Sequence, residues 1–184
     1  MSFTVRKATK DDVSDLAHLH VQGWRDAYGG LLDADYIESK TVALREKQWA
    51  EWFDEDLTKT LIAYGENGTA AGFISFGKLK TPPPGMSPIR PLYAAEIYAF
   101  YILEPFWRQG LGTKFMHEAS NVLAVEKVKS ICLWVLEKNK RAVSFYKKTG
   151  GERCGKMDVE FGPTKAREVC FGWRDTSRFI ESAG

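Results

Sequence analysis

The run IYAFYILEPFWRQGLGTKF, residues 97–115, holds the strongest chemical signal in the chain. An apolar, aromatic strand ends, a short loop follows, and Gly110-Leu111-Gly112-Thr113 opens a helix. Glycines at such a turn permit positive φ and let the main chain approach a ligand closely. The first turn of a helix carries N–H groups without intrahelical acceptors and a partial positive charge, which suits an anion such as a pyrophosphate. Arg108 beside it adds a charge-assisted contact. Two nucleotide motifs are excluded. A P-loop needs Gly and Lys where Trp107 and Thr113 stand, and a dinucleotide fingerprint needs Gly at Phe115. By spacing alone the Gly pair serves equally as a plain structural turn.

Other chemistry is sparse. Cys132, Cys154 and Cys170 are three widely spaced thiols without a CxxC pair, which excludes a disulfide framework or zinc ribbon and points to a reducing cytoplasm. His18 and His20 are two residues apart and point in different directions on a helix, so no metal is expected. The 184 residues carry 26 Lys+Arg against 24 Asp+Glu, a balance that argues against a nucleic-acid binder. No apolar run reaches the roughly 18 residues of a membrane span, and the N-terminus lacks a secretory h-region. The composition, 44% hydrophobic and 27% charged, is that of one globular domain over 1–184.

The elements that must position the glycine turn are read from periodicity. Residues 3–8 read as a strand, and Thr9 with Asp12 as a capping box opening a helix. Val13, Leu16, Ala17, His20, Val21, Trp24 and Tyr28 form its apolar stripe until Gly29-Gly30 stops it. A second helix covers 41–55. Residues 60–64 and 70–79 read as strands joined by an Asn67-Gly68 turn. Residues 81–91 hold five of the seven prolines and must be an extended excursion, either a lid or cover for an edge strand. Strand 94–103, helix 110–127, strand 130–136, helix 140–149 and strands 152–161 and 166–173 complete an α/β (α+β) chain of seven strands and four helices.

With Trp107-Arg108-Gln109-Gly110-Leu111-Gly112 in this place, the sequence resembles the GNAT superfamily of acetyl-CoA-dependent N-acetyltransferases. Their pyrophosphate loop has Arg or Gln, two residues, Gly, one residue, then Gly or Ala; here Trp107 replaces the first position. A second family motif matches Asn139, Ala142, Phe145 and Tyr146, with Gly150-Gly151 after it where Gly-Phe is usual. The opening segment, with Trp24, Tyr28 and LLDADYI, is similar to a GNAT subgroup. The resemblance implies a mixed, mostly antiparallel sheet splayed between its fourth and fifth strands.

It also implies roles. The main chain of Phe100, Tyr101 and Ile102 would pair with the pantetheine amides of acetyl-CoA as an added strand does. Arg108, Gln109, Gly110, Leu111, Gly112 and Thr113 would hold the diphosphate, and Asn139 the cofactor arm, unless it simply caps its helix. Tyr146 stands where the family's acid tyrosine does; packing the last helix is its other reading. Glu96 stands where several members place a catalytic carboxylate, and burial would raise its pKa toward that of a useful base. A solvated strand-end charge is its alternative. Strand alternation puts Tyr98 on the face of Glu96, as a proton relay.

Trp24, Tyr28, Trp49 and Trp52 would wall the acceptor cleft or serve as core. Glu51, Asp54, Glu55 and Asp56 would attract a cationic amine or form a solvated face. The implied activity is acetyl transfer to a primary amine on a small molecule or peptide N-terminus; a CoA-holding sensor without turnover is the alternative. A homodimer would fit the family.

Overall fold

The computed structural model describes residues 2–55, 58–85 and 92–181. β1 (Phe3–Lys7) leads through Thr9 into α1 (Val13–Tyr28). Thr9 and Asp12 make the expected reciprocal capping box. Arg6 clamps the same carboxylate, Nη1 to Oδ2 at 2.7 Å and Nη2 to Oδ1 at 2.6 Å, and the Tyr64 hydroxyl donates to it at 3.0 Å. These bonds satisfy the acid as it becomes buried and fix the entry of the helix that carries Trp24 and Tyr28. α2 (Ala34–Glu38) starts on Asp33, whose Oδ1 accepts from Tyr36 N–H at 2.9 Å. α3 (Val42–Glu55) comes after it.

Next come β2 (Lys59–Gly65), β3 (Ala70–Lys78), β4 (Ala95–Ile102) and α4 (Leu111–Val125). β5 (Ile131–Leu136), α5 (Lys140–Lys148), β6 (Glu152–Phe161), β7 (Thr164–Trp173) and α6 (Ser177–Glu181) complete the chain. α2 and α6, five residues each, are additions to the four helices expected; one turn is too short to show a periodicity. No helix among the described residues is long and apolar enough to cross a membrane.

The strands form one sheet in the order β1-β2-β3-β4-β5-β7-β6, with β4–β5 its parallel pair. Alternation sends Leu61 and Ile74 toward α4, where Phe115, Leu133, Phe171 and Trp173 join them. Ile62 and Phe73 go to the other face, against Leu16, Leu19 and Trp49 of α1 and α3. The strands near the middle of the sheet are thus buried on both faces, and packing there fixes register.

Two irregularities shape the middle of the sheet. β4 and β5 pair at Ala95–Ile131, Glu96–Cys132 and Ile97–Leu133, and beyond these they part. At the same point the β3 register shifts: Ser75 faces Ala99 but Phe76 faces Ile97, so Tyr98 is the extra residue of a bulge. The Pro-rich excursion, in its described part, lies on the β5–β6 sheet face. Trp134 Nε1–H donates to Thr81 C=O at 2.9 Å, and Pro83 and Pro84 press on Gly155. Residues 86–91 lie outside the described residues.

Arg6 first, then the Thr9 amide and Tyr64, hold the Asp12 carboxyl well below the usual carboxylate range. Its contribution to stability is therefore full above the unfolded-state value near pH 4 and is lost as pH falls toward the folded-state value. Asp12→Asn should cost about 2 kcal/mol in urea unfolding at neutral pH and flatten the acid limb of the stability curve. An unchanged midpoint would contradict this account of the α1 entry.

Candidate functional site

A cavity of about 1170 Å³ opens where β4 and β5 part. One end is the turn before α4. Arg108 has φ 60° and Gly110 φ 83°, both left-handed, and such a turn aims successive amides into one concavity. A side chain at Arg108 tolerates that backbone at a cost of about 1 kcal/mol, whereas Gly110 adopts it freely. The first intrahelical bond runs from Lys114 N–H to Gly110 C=O at 3.0 Å, so the amides of Leu111, Gly112 and Thr113 precede the helical ladder. Gly112 is needed for another reason. A Cβ there would stand 3.0 Å from Phe145 Cζ, so its absence lets α4 close on α5.

Arg108, Gly110, Gly112 and Thr113 line the cavity, as do Phe100, Tyr101, Ile102 and Asn139. Gln109 and Leu111 are not among the lining residues. The Gln109 amide turns back to Pro105 C=O at 2.8 Å, and the Leu111 side chain is core. Asn139 is the N-cap of α5, accepting from Ala142 N–H at 3.1 Å, which is the simpler of its two expected roles. Trp107, the departure from the family loop, donates its indole N–H to Ile102 C=O at 2.6 Å, and the Arg141 guanidinium stacks 3.1 Å from its ring centre. Where the second motif lacks its usual aromatic, Trp173 packs on Gly151 and donates to Thr149 C=O at 3.0 Å.

The other end is acidic and phenolic. Tyr146 on α5 is buried, packed 5.5 Å from Phe145 and 6.1 Å from Phe171, and reaches the cavity. Burial first, and Tyr101 next, raise its pKa well above the usual phenol value, so it stays protonated. Glu96 is 6% exposed, not a solvated strand end; its Oε2 accepts from Lys80 N–H at 2.8 Å and Thr81 N–H at 2.6 Å, anchoring the excursion. Tyr98 lines the cavity with Glu96 despite the bulge, but its hydroxyl donates to Lys78 C=O and not to the carboxylate.

Sequence reasoning missed Glu168. It sits on β7 opposite Leu136, lines the cavity, and has its pKa raised by burial and then by the facing charge of Glu96. After Ala166-Arg167 a lone Glu reads as an exposed strand charge; only the register of β5 with β7 turns it inward. Trp24 and Tyr28 do wall the cavity, and the Tyr28 and Tyr101 hydroxyls meet at 3.1 Å. Trp49 and Trp52 are core instead, packed at 5.0 Å from one another. Glu51, Asp54 and Glu55 are an exposed face, with Asp54 paired to Lys10; Asp56 lies outside the described residues.

Known proteins resemble this chain in sequence and in fold. The pattern of the Acetyltransferase (GNAT) family matches residues 24–151. A Bacillus subtilis protein named "Uncharacterized N-acetyltransferase YuaI" is 32% identical over 95% of this chain and 94% of its own. A spermidine N(1)-acetyltransferase of Thermoplasma acidophilum is 23% identical over 82% of this chain and 88% of its own. The crystal structure of the PaiA N-acetyltransferase of T. acidophilum, in complex with coenzyme A, superposes with a TM-score of 0.70, covering 92% of this chain and 98% of that one at 20% identity. Matched by one family pattern over most of its length and by a relative from end to end, the chain belongs to the acetyltransferase (GNAT) family.

Proposed function

We propose that this acetyltransferase moves the acetyl group of acetyl-CoA directly to a primary amine, on a small molecule or a peptide N-terminus. The observation that carries the reading is the gap between β4 and β5, which joins the amide-lined turn at 108–113 to Tyr146, Glu96 and Glu168. The diphosphate of CoA fits the turn, and its extended arm fits the unpaired β4 edge at Phe100–Ile102, where main-chain groups otherwise lack strand partners. Coenzyme A in the PaiA structure supports this assignment.

The reaction needs a neutral amine, a stabilised oxyanion and a protonated leaving sulfur. An alkylamine is mostly ammonium near neutrality, so a base must remove its proton. Glu96 takes that proton directly or through a water, using the oxygen not held by the excursion. The amine nitrogen attacks the thioester carbon, a β4 amide near Tyr101 receives the oxyanion, and the C–S bond breaks as the nitrogen releases its second proton to water. Tyr146, kept protonated by burial, donates to the departing sulfur. The aromatic walls from Trp24 and Tyr28 exclude water from the acceptor side.

A thiol-release assay with acetyl-CoA and a panel of amino acids, polyamines, aminoglycosides and short peptides tests the activity. Tyr146→Phe should lower kcat roughly 100-fold while CoA affinity by calorimetry changes less than about twofold. Equal loss in both would make Tyr146 a packing residue. Gly112→Val should do the opposite, prying α4 from Phe145 and weakening CoA binding about tenfold. Unaltered affinity would reject the turn as the diphosphate site. Glu96→Gln keeps an oxygen for the Lys80 and Thr81 amides, so kcat should drop with little change in melting temperature; full activity would transfer the base to Glu168.

A further inference from the structure

All three cysteines of the chain converge on one face of the sheet, although each stands on a different strand. Cys132 is on β5, Cys154 on β6 and Cys170 on β7. β5 pairs with β7 so that Cys132 faces Gly172 and Trp134 faces Cys170. Cys132 and Cys170 therefore point the same way, since residues two apart on a strand share a face. β6 then shifts register against β7. Arg153 faces Phe171 and Gly155 faces Cys170, which leaves Cys154 as the extra residue of a bulge. Its side chain joins the same cluster, in which Cys132, Cys170 and Tyr93 are buried and Leu79 and Trp134 pack around them.

Packing alone asks little of sulfur, and a free cysteine commonly serves as a small hydrophobe. This cluster adds polarity to packing. The Cys170 S–H lies between the sulfurs of Cys132 and Cys154, and the Tyr93 hydroxyl donates to Cys154 as well. Cys132 and Cys170 are 0% exposed, whereas Cys154 is half-buried and meets solvent. None of the three lines the cavity between β4 and β5. The Cys170 S–H first, and the Tyr93 hydroxyl after it, hold the Cys154 thiol down at about 7, against burial and the charge of Glu152. Near neutrality much of Cys154 is thus thiolate, which is the reactive form. Cys132 and Cys154, and then burial, push Cys170 upward, so it keeps its proton.

We propose that Cys154 is a site of oxidation by hydroperoxides and that Cys170 resolves it to a Cys154–Cys170 disulfide across β6 and β7. Residues opposite one another on antiparallel strands have Cα atoms roughly 4.5–5.5 Å apart, and a disulfide spans roughly 4.4–6.8 Å. The bulge residue beside the Gly155–Cys170 pair is within that reach. In the first step the Cys154 thiolate attacks a peroxide oxygen and the O–O bond breaks. Cys154 becomes a sulfenic acid, and the other oxygen leaves with a proton from solvent as water or an alcohol. In the second step the Cys170 sulfur attacks the Cys154 sulfur and the S–O bond breaks. The departing hydroxyl takes the Cys170 proton and leaves as water, so the two thiols have given two electrons to the peroxide. Cys132, whose partner is Cys170, remains a thiol. The bridge fastens β6 to β7 two residues from Glu168 and three from Met157, both on the cavity wall.

The test treats the folded full chain with hydrogen peroxide, blocks remaining thiols with N-ethylmaleimide in denaturant, and maps the peptides without reduction. The wild type should fall from three titratable thiols to one, lose about 2 Da before blocking, and yield a joined Cys154–Cys170 peptide. Dithiothreitol should restore all three thiols. Cys132→Ser should form the same bridge. Cys154→Ser should lose thiol about tenfold more slowly or not at all, because the exposed thiolate is gone. Cys170→Ala should stop with Cys154 as a sulfenic acid that dimedone captures. A Cys132–Cys170 bridge, a sulfinic acid at Cys154 in the wild type, a disulfide joining two chains, or three unreacted thiols each overturns the proposal. Should Cys170→Ala fail to fold, the wild-type peptide map alone decides among these outcomes.

Discussion

β4 and β5 hold together through three residue pairs and then separate, and the rest of the site depends on that separation. A parallel pair in the middle of a sheet would normally run its full length, because each buried N–H and C=O needs a partner. Here the register shift at Tyr98 kinks β4 where the last pair ends, so the strand leaves β5 instead of running alongside it. The exposed edge then presents polar main chain to a cavity whose walls are aromatic. Such an edge is a template for an extended ligand, and the sheet remains intact because β3 pairs with β4 on its other side.

The two faces of the sheet meet through this gap. α4 and α5 bring the amide turn and Tyr146 from one face; α1 brings Trp24 and Tyr28 from the other. Neither half holds a complete site. Glu96 sits at the junction, buried, with one oxygen committed to the main chain of the Pro-rich excursion. A carboxylate bound in this way both closes the end of the gap and keeps its second oxygen oriented, which joins support and chemistry in one side chain.

Local signals were legible in the sequence. The Thr9–Asp12 box, the Asn67-Gly68 turn and the Gly110 turn each arise from interactions within a few residues, and all three appear as expected. What was illegible depends on partners far along the chain. Nothing near Tyr98 marks a bulge, since neither Gly nor Pro stands there. Glu168 and Arg45 look like surface charges on a strand and a helix; β5 turns one inward, and α1 covers the other. Among the four large aromatics, Trp24 and Tyr28 reach the cavity while Trp49 and Trp52 do not, a distinction set by how α1 and α3 cross and not by helical period.

The stack of Arg141 on Trp107 ties the loop before α4 to the first turn of α5. Like charges repel at such range, so a basic side chain at 107, one of the usual choices in that loop, would face Arg141 directly. The indole removes the conflict and gives the guanidinium a flat surface to rest on. Evolutionary drift at either position is then constrained by the other, and the two should be inherited together as a matched couple among descendants of this lineage.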